Sequence, residues 1–145
     1  MEPQEAVREL LQSQMLGVLA TSHAGHPYTS LVAVVSSEDL THIWFATSRS
    51  THKYANLLAN PRVALLIDDR SSHPASSFEG QSVTASGTAE EVPPGEHAAT
   101  LQLYLARHPS LHRFATAVDT ALIAVSVERY LLVTQFQKVH ELRMR

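Results

Sequence analysis

Residues 47–53, Thr-Ser-Arg-Ser-Thr-His-Lys, follow the apolar run Ile43-Trp44-Phe45-Ala46 and gather hydroxyls and cations where a helix begins. The first turn of a helix leaves backbone N–H groups unpaired at the positive end of the dipole. Thr47 and Thr51 can cap that turn, and His52 and Lys53 can add charge, so the segment suits a phosphomonoester. The same residues also read as an ordinary N-cap with solvated cations.

Other reactive residue types fall into weaker patterns. There are nine histidines. His23 and His26 flank a turn, whereas His108 and His112 have Pro109 between them, which disturbs the helix that would aim both rings together. Neither pair is completed by a third ligand, so no metal site is expected. Asp68 and Asp69, like Glu90 and Glu91, are adjacent on strands and point to opposite faces, which rules out a shared-proton pair. Ser71, Ser72, His73, Ser76 and Ser77 lack the strained Gly-x-Ser-x-Gly elbow of a serine hydrolase.

The elements that position the anion site can be read from periodicity. Residues 3–14 place Ala6, Val7, Leu10 and Leu11 on one helical face and form a short lid helix. Strands are predicted over 15–22, 28–36 and 42–47, joined by short turns. A helix over 50–59 turns Tyr54, Leu57 and Leu58 to the core and stops at Asn60-Pro61. A strand over 62–68 follows, then a polar loop over 69–78, a strand over 80–92 and a helix over 96–107. A short helix near 111–117 leads to strands over 120–127 and 130–137, after which Lys138-Val139-His140-Glu141 opens a basic tail. The fold class is mainly β with helical additions: about six strands in an antiparallel barrel flanked by short helices.

A chain of 145 residues suits one domain, with 44% hydrophobic and 17% charged residues. Its formal net charge of −3 gives no general attraction to nucleic acid or an anionic membrane. The absence of cysteine removes disulfides, thiolate nucleophiles and Cys-ligated metals. No apolar run is long enough to span a bilayer as a helix, and cytoplasmic residence is expected.

The order of these features resembles the pyridoxamine 5′-phosphate oxidase family and its shorter relatives, the FMN-binding split β-barrel proteins. Gly25-His26-Pro27-Tyr28 is similar to the family's hairpin into the second strand, and Phe45, Thr47, Thr51, His52 and Lys53 fall on its aromatic, hydroxyl and basic pattern. Asn60-Pro61-Arg62-Val63 resembles the opening of its fourth strand. Gln81-Ser82-Val83 and Ser86-Gly87-Thr88-Ala89 resemble the strand that approaches the flavin. The likeness covers about residues 16–92.

The resemblance implies a six-stranded antiparallel split β-barrel that binds FMN in a cleft of a homodimer. By the family's pattern, Ser30, Thr47, Thr51, His52 and Lys53 would hold the phosphate. Backbone from Ser30, Leu31, Val32 and Ala33, with Ala46, would lie along the ribityl chain and ring, and Gln81 or Ser82 would meet the ring's edge. Tyr104, His108, His112 and His140 fall near the family's substrate positions. Ser30 and His52 stand where the oxidase has arginines, and Val35 where it has a lysine, so the chain is expected to be a short member and not the oxidase itself. The implied function is an FMN-dependent oxidoreductase with an unidentified small-molecule substrate or electron donor. The alternatives are a non-enzymatic flavin or haem binding protein and an F420-dependent reductase. The apolar residues Leu131, Leu132, Val133 and Phe136 of the last strand also point to a homodimer, because so small a barrel has limited interior.

Overall fold

Successive side chains of an extended strand point to opposite faces, so a strand with one covered face must alternate. The computed structural model describes residues 1–73, 80–134 and 137–144. Along it run α1 (Pro3–Ser13), β1 (Leu16–His23), β2 (His26–Ser36), β3 (His42–Ser48), α2 (His52–Ala59) and β4 (Arg62–Asp68). They are followed by β5 (Ser82–Glu91), α3 (Pro94–Arg107), α4 (His112–Ala115), β6 (Thr120–Thr134) and β7 (Lys138–Arg143).

On β4 the buried set is Val63, Leu65 and Ile67, and on β5 it is Val83, Ala85, Gly87 and Ala89. These rows meet Leu19, Val32, Phe45, Ile123 and Tyr130 in one core inside a closed barrel. All pairings are antiparallel in the order β3-β2-β1-β4-β5-β6, and β3 returns to β6 to close the ring. β4 pairs with β1 instead of β3, because α2 carries the chain across the barrel's end. Leu57 of α2 is buried, but Leu58, expected to face the core, is 63% exposed.

A second core lies outside the barrel. Val35, Ala46, Leu122 and Ala124, on the outer faces of β2, β3 and β6, pack against Tyr104 of α3 and Ala115 of α4. The helix α3 begins at Pro94, earlier than expected, since proline's fixed φ and missing N–H suit a first helical position. The segment near 111–117 is a 3-10 turn, Pro109–Leu111, followed by the single-turn α4.

The two strands expected over 120–127 and 130–137 are one strand, β6. Between the two expected strands Glu128 is the extra residue of a bulge, with Arg129 opposite Ser86 and Val127 opposite Gly87, so the strand bends and continues. A Cβ on Gly87 would stand 2.0 Å from the Ser126 carbonyl oxygen, so only glycine permits this approach. The expected basic tail is the seventh strand, β7, paired with residues 129–134 of β6. Of the expected loop over 69–78, Arg70–Ser72 forms a 3-10 turn. Residues 74–78, including Ser76 and Ser77, lie outside the described residues, as do Gln135 and Phe136. No helix among the described residues is long and apolar enough to cross a membrane.

Candidate functional site

The turn from β3 into α2 consumes most of its own hydroxyls. Thr47 is buried, and its Oγ1 lies 2.9 Å from Thr51 Oγ1. Thr51 donates to the Ser48 carbonyl at 2.9 Å and accepts from the Tyr54 N–H at 3.3 Å, which makes it the N-cap. Arg49 is also spent: it pairs with Glu91 and donates to the Val118 carbonyl at 3.2 Å. Tyr54 shares Glu91, donating to its Oε1 at 2.9 Å. Two basic side chains remain at the helix start, and among the described residues neither His52 nor Lys53 enters an ion pair.

Beside this helix start the barrel is split. β2 and β3 pair only where residues 34–36 face 43–45, and beyond Val34 and Phe45 the two strands part. The Val34 N–H donates to Met15 on the β1 side, so by alternation the backbone groups of Leu31 and Ala33 face the gap. From the other bank, the His42 carbonyl accepts from Ser37 on the β2 side, which turns the backbone of Ala46 the same way. The Ser30 hydroxyl oxygen is buried with no hydrogen-bond partner among the described residues. Native interiors leave few such groups, each costing about 1–3 kcal/mol.

Tyr104 and His108, expected near a substrate, are instead anchors of α3. Tyr104 is 1% exposed and donates to the Ala33 carbonyl at 3.0 Å. Burial pushes its phenol up to about 12, opposed by the Ala46 backbone N–H. His108 is 4% exposed, and its Nε2 lies 2.8 Å from the Val34 carbonyl, a geometry in which the ring N–H donates. The two rings tilt against each other at 5.0 Å. His112 is exposed on α4, away from both anchors.

Gln81 and His140 belong to a different place. They line a groove of about 500 Å³ with Lys138, Leu132 and the start of α1. The Gln81 N–H donates to Asp69 Oδ1 at 2.7 Å. Ser82 follows on the outer face of β5, opposite Asp68. Between this group and the split lie β1 and β4. One chain therefore brings together Ser30 to Ala33, Ala46, Thr47, Thr51, His52 and Lys53, and it holds Gln81, Ser82 and His140 apart from them.

The outer face between the two groups carries an apolar row invisible before the register is known. Leu31 pairs with Val18, Val18 with Leu66, Leu66 with Thr84 and Thr84 with Leu131. Leu31 and Leu66 are 68% and 39% exposed, and Leu16 beside them is 54% exposed. Of the late apolar residues expected to overflow the barrel, Leu132 fits inside with Tyr130. Leu131 and Val133 point outward and are half-buried.

A closed antiparallel barrel with a helix-capped split and helices on one outer face defines a split-barrel protein. The sequence profile described as pyridoxamine 5′-phosphate oxidase matches residues 3–134, and the chain belongs to that family. Among solved structures, a haem-binding protein from Mycobacterium smegmatis superposes with a TM-score of 0.87 at 22% identity, over 99% of this chain and 59% of that one. This chain thus spans less than two-thirds of that relative. The haem storage protein HutZ of Vibrio cholerae gives 0.76 at 19% identity, covering 92% of this chain and 95% of its own. A FAD-binding protein from Mesorhizobium loti gives 0.73 at 19%, covering 91% and 94%. No curated protein sequence matches this chain.

Proposed function

We propose that this protein holds the FMN moiety of a flavin in the split, with the phosphate at the start of α2, and acts as a cytoplasmic oxidoreductase. The observation that carries the reading is the buried Ser30 hydroxyl with no partner among the described residues, taken with His52 and Lys53, which enter no ion pair among those residues, at the start of α2. Lys53 and His52 bind the phosphate, and the gap-facing backbone of Leu31, Ala33 and Ala46 orients the rest through the groups that Tyr104 does not take, since its hydroxyl holds the Ala33 carbonyl and the Ala46 N–H. When bound, a flavin supplies hydride or electron transfer. Two copies are proposed to meet through the row of Leu16, Leu31 and Leu66, so that Gln81 and Ser82 of the second copy reach the ring held by the first. Sedimentation should find a dimer, and a stable flavin-loaded monomer at micromolar concentration would refute the assembly.

Vitamin B6 oxidation is not part of the proposal. Ser30, Val35 and His52 replace cations of the oxidase, and Val35 and His108 are buried. Each lost charge-assisted contact removes about 1.5–3 kcal/mol, so negligible turnover of pyridoxamine 5′-phosphate is expected. Haem binding is the second reading, supported by what the Mycobacterium and Vibrio relatives bind or store. An F420-dependent reductase is the third. Absorbance of the purified protein separates a flavin spectrum from a haem Soret band. Calorimetric titration should show FMN bound more tightly than riboflavin, and equal affinities would overturn the phosphate site.

A further inference from the structure

A second concavity begins where the proposed phosphate site ends. His52 lines a shallow pocket of about 340 Å³ together with His23, Ala24, His26, Tyr28 and Asn56. The pocket lies between the start of α2 and the β1–β2 turn, so anything in it that is joined to a flavin must be attached beyond the phosphate. FMN ends at that phosphate and leaves the pocket unused.

The lining has a chemical bias. His23, His26, Tyr28 and His52 put four ring side chains around one space, with no lysine or arginine among its described residues. Tyr28 and His52 already make an edge-to-face pair, with centroids 5.7 Å apart at 70°. Flat rings suit a stacked base, whereas a flexible polyanionic tail would call for fixed cations. Asn56 spends its amide N–H on Thr21 Oγ1 at 3.1 Å and keeps a carbonyl oxygen as an acceptor for an exocyclic amine.

A two-residue hairpin turn joins the strands that carry His23 and His26. Ala24 has φ 53 and Gly25 φ 80, which makes a tight hairpin turn in which alanine occupies the left-handed region. That geometry sets His23 directly opposite His26 in the strand register, and their ring N–H groups can serve a second phosphate.

We propose that this pocket receives the adenylate half of a dinucleotide flavin, so that FAD is preferred to FMN; the proposal rests on the reading of the split as an FMN-moiety site. Titrations of the purified full chain with FMN, FAD and F420, followed by calorimetry, test it. FAD should bind on the order of tenfold more tightly than FMN, which is within the range of one stacked base. The variant His23→Ala/His26→Ala/Tyr28→Ala should erase that advantage and leave FMN affinity within about twofold. If the triple variant fails to fold by circular dichroism, Tyr28→Leu alone should remove most of the preference. Equal or weaker binding of FAD, an advantage that survives in the variants, or F420 ahead of FAD would each overturn the adenylate pocket while leaving the split site standing. Binding of neither FMN nor FAD would overturn both.

Discussion

At the start of α2, His52 is exposed and Lys53 half-buried, both without an ion pair among the described residues, whereas Tyr104 of α3 and His108 at its end are buried and bonded to β2 carbonyls. Both regions carry residues with proton-donating side chains beside the same split. The difference lies in what else is within reach. Where β2 leaves the Ala33 and Val34 carbonyls without a strand partner, a neighbouring helix supplies tyrosine and histidine to satisfy them. Where α2 begins, Thr47 and Thr51 satisfy one another and the turn, and the basic side chains of His52 and Lys53 stay available. One flank therefore spends its polar groups on the fold, and the other keeps them for a ligand.

The largest effect should come from Tyr104→Ala. The ring fills the second core and its hydroxyl bridges to β2, so the truncation should cost about 3–5 kcal/mol of stability in denaturant unfolding. A loss below about 1 kcal/mol would mean that α3 does not anchor the split.

Alkaline titration tests the same anchor without mutation. Burial raises the Tyr104 phenol from 10.0 to about 12, and Tyr130, donating to the Leu40 carbonyl at 2.7 Å, is raised as well. The folded state prefers the neutral phenol, so this stability is whole below pH 10 and falls as pH climbs toward 12. Tyr104 alone should account for roughly 2–3 kcal/mol of that fall. Unfolding free energies measured from neutral pH upward should stay level with respect to these groups until about pH 10 and then decline; a flat profile beyond that point would refute the burial argument.

On the ligand-facing flank, Lys53→Ala should weaken FMN binding by about 1.5–3 kcal/mol while changing stability by less than about 0.5 kcal/mol. Calorimetry and thermal melts on the same preparation check both halves. If the variant unfolds early but binds FMN normally, the two flanks have been assigned in reverse.

How much of this contrast was legible in the sequence depended on the range of the interaction. The apolar run over 62–68 and the Thr51 cap are local signals that led to a barrel strand and the helix start, but the run suggested two covered faces, whereas only Val63, Leu65 and Ile67 are buried and Leu66 is 39% exposed. Arg49 looked like a third cation because Glu91, which takes it, lies 42 residues away. Tyr104 and His108 fell near substrate positions only by the family resemblance, and their partners are carbonyls more than 70 residues distant. The expected break between residues 127 and 130 is a bulge, which has no signal apart from the strand it opposes. The row through Leu31 and Leu66 needs the register of five strands before it exists at all.

Tyr104→Phe should produce the smallest effect and the sharpest distinction. Phenylalanine keeps the ring packed beside His108 and removes the hydroxyl that donates to the Ala33 carbonyl at 3.0 Å and accepts from the Ala46 N–H. Its loss should cost about 0.5–1.5 kcal/mol, well under the truncation to alanine. The alkaline decline should shrink by the share of Tyr104 and leave that of Tyr130, whose phenol is also raised by burial. FMN affinity should stay within about twofold, because the charge-assisted contacts lie at α2 and are untouched. If Tyr104→Phe folded normally but lost flavin, the hydroxyl would be a cofactor contact. The two flanks of the split would then form a single binding surface, and the contrast between them would collapse.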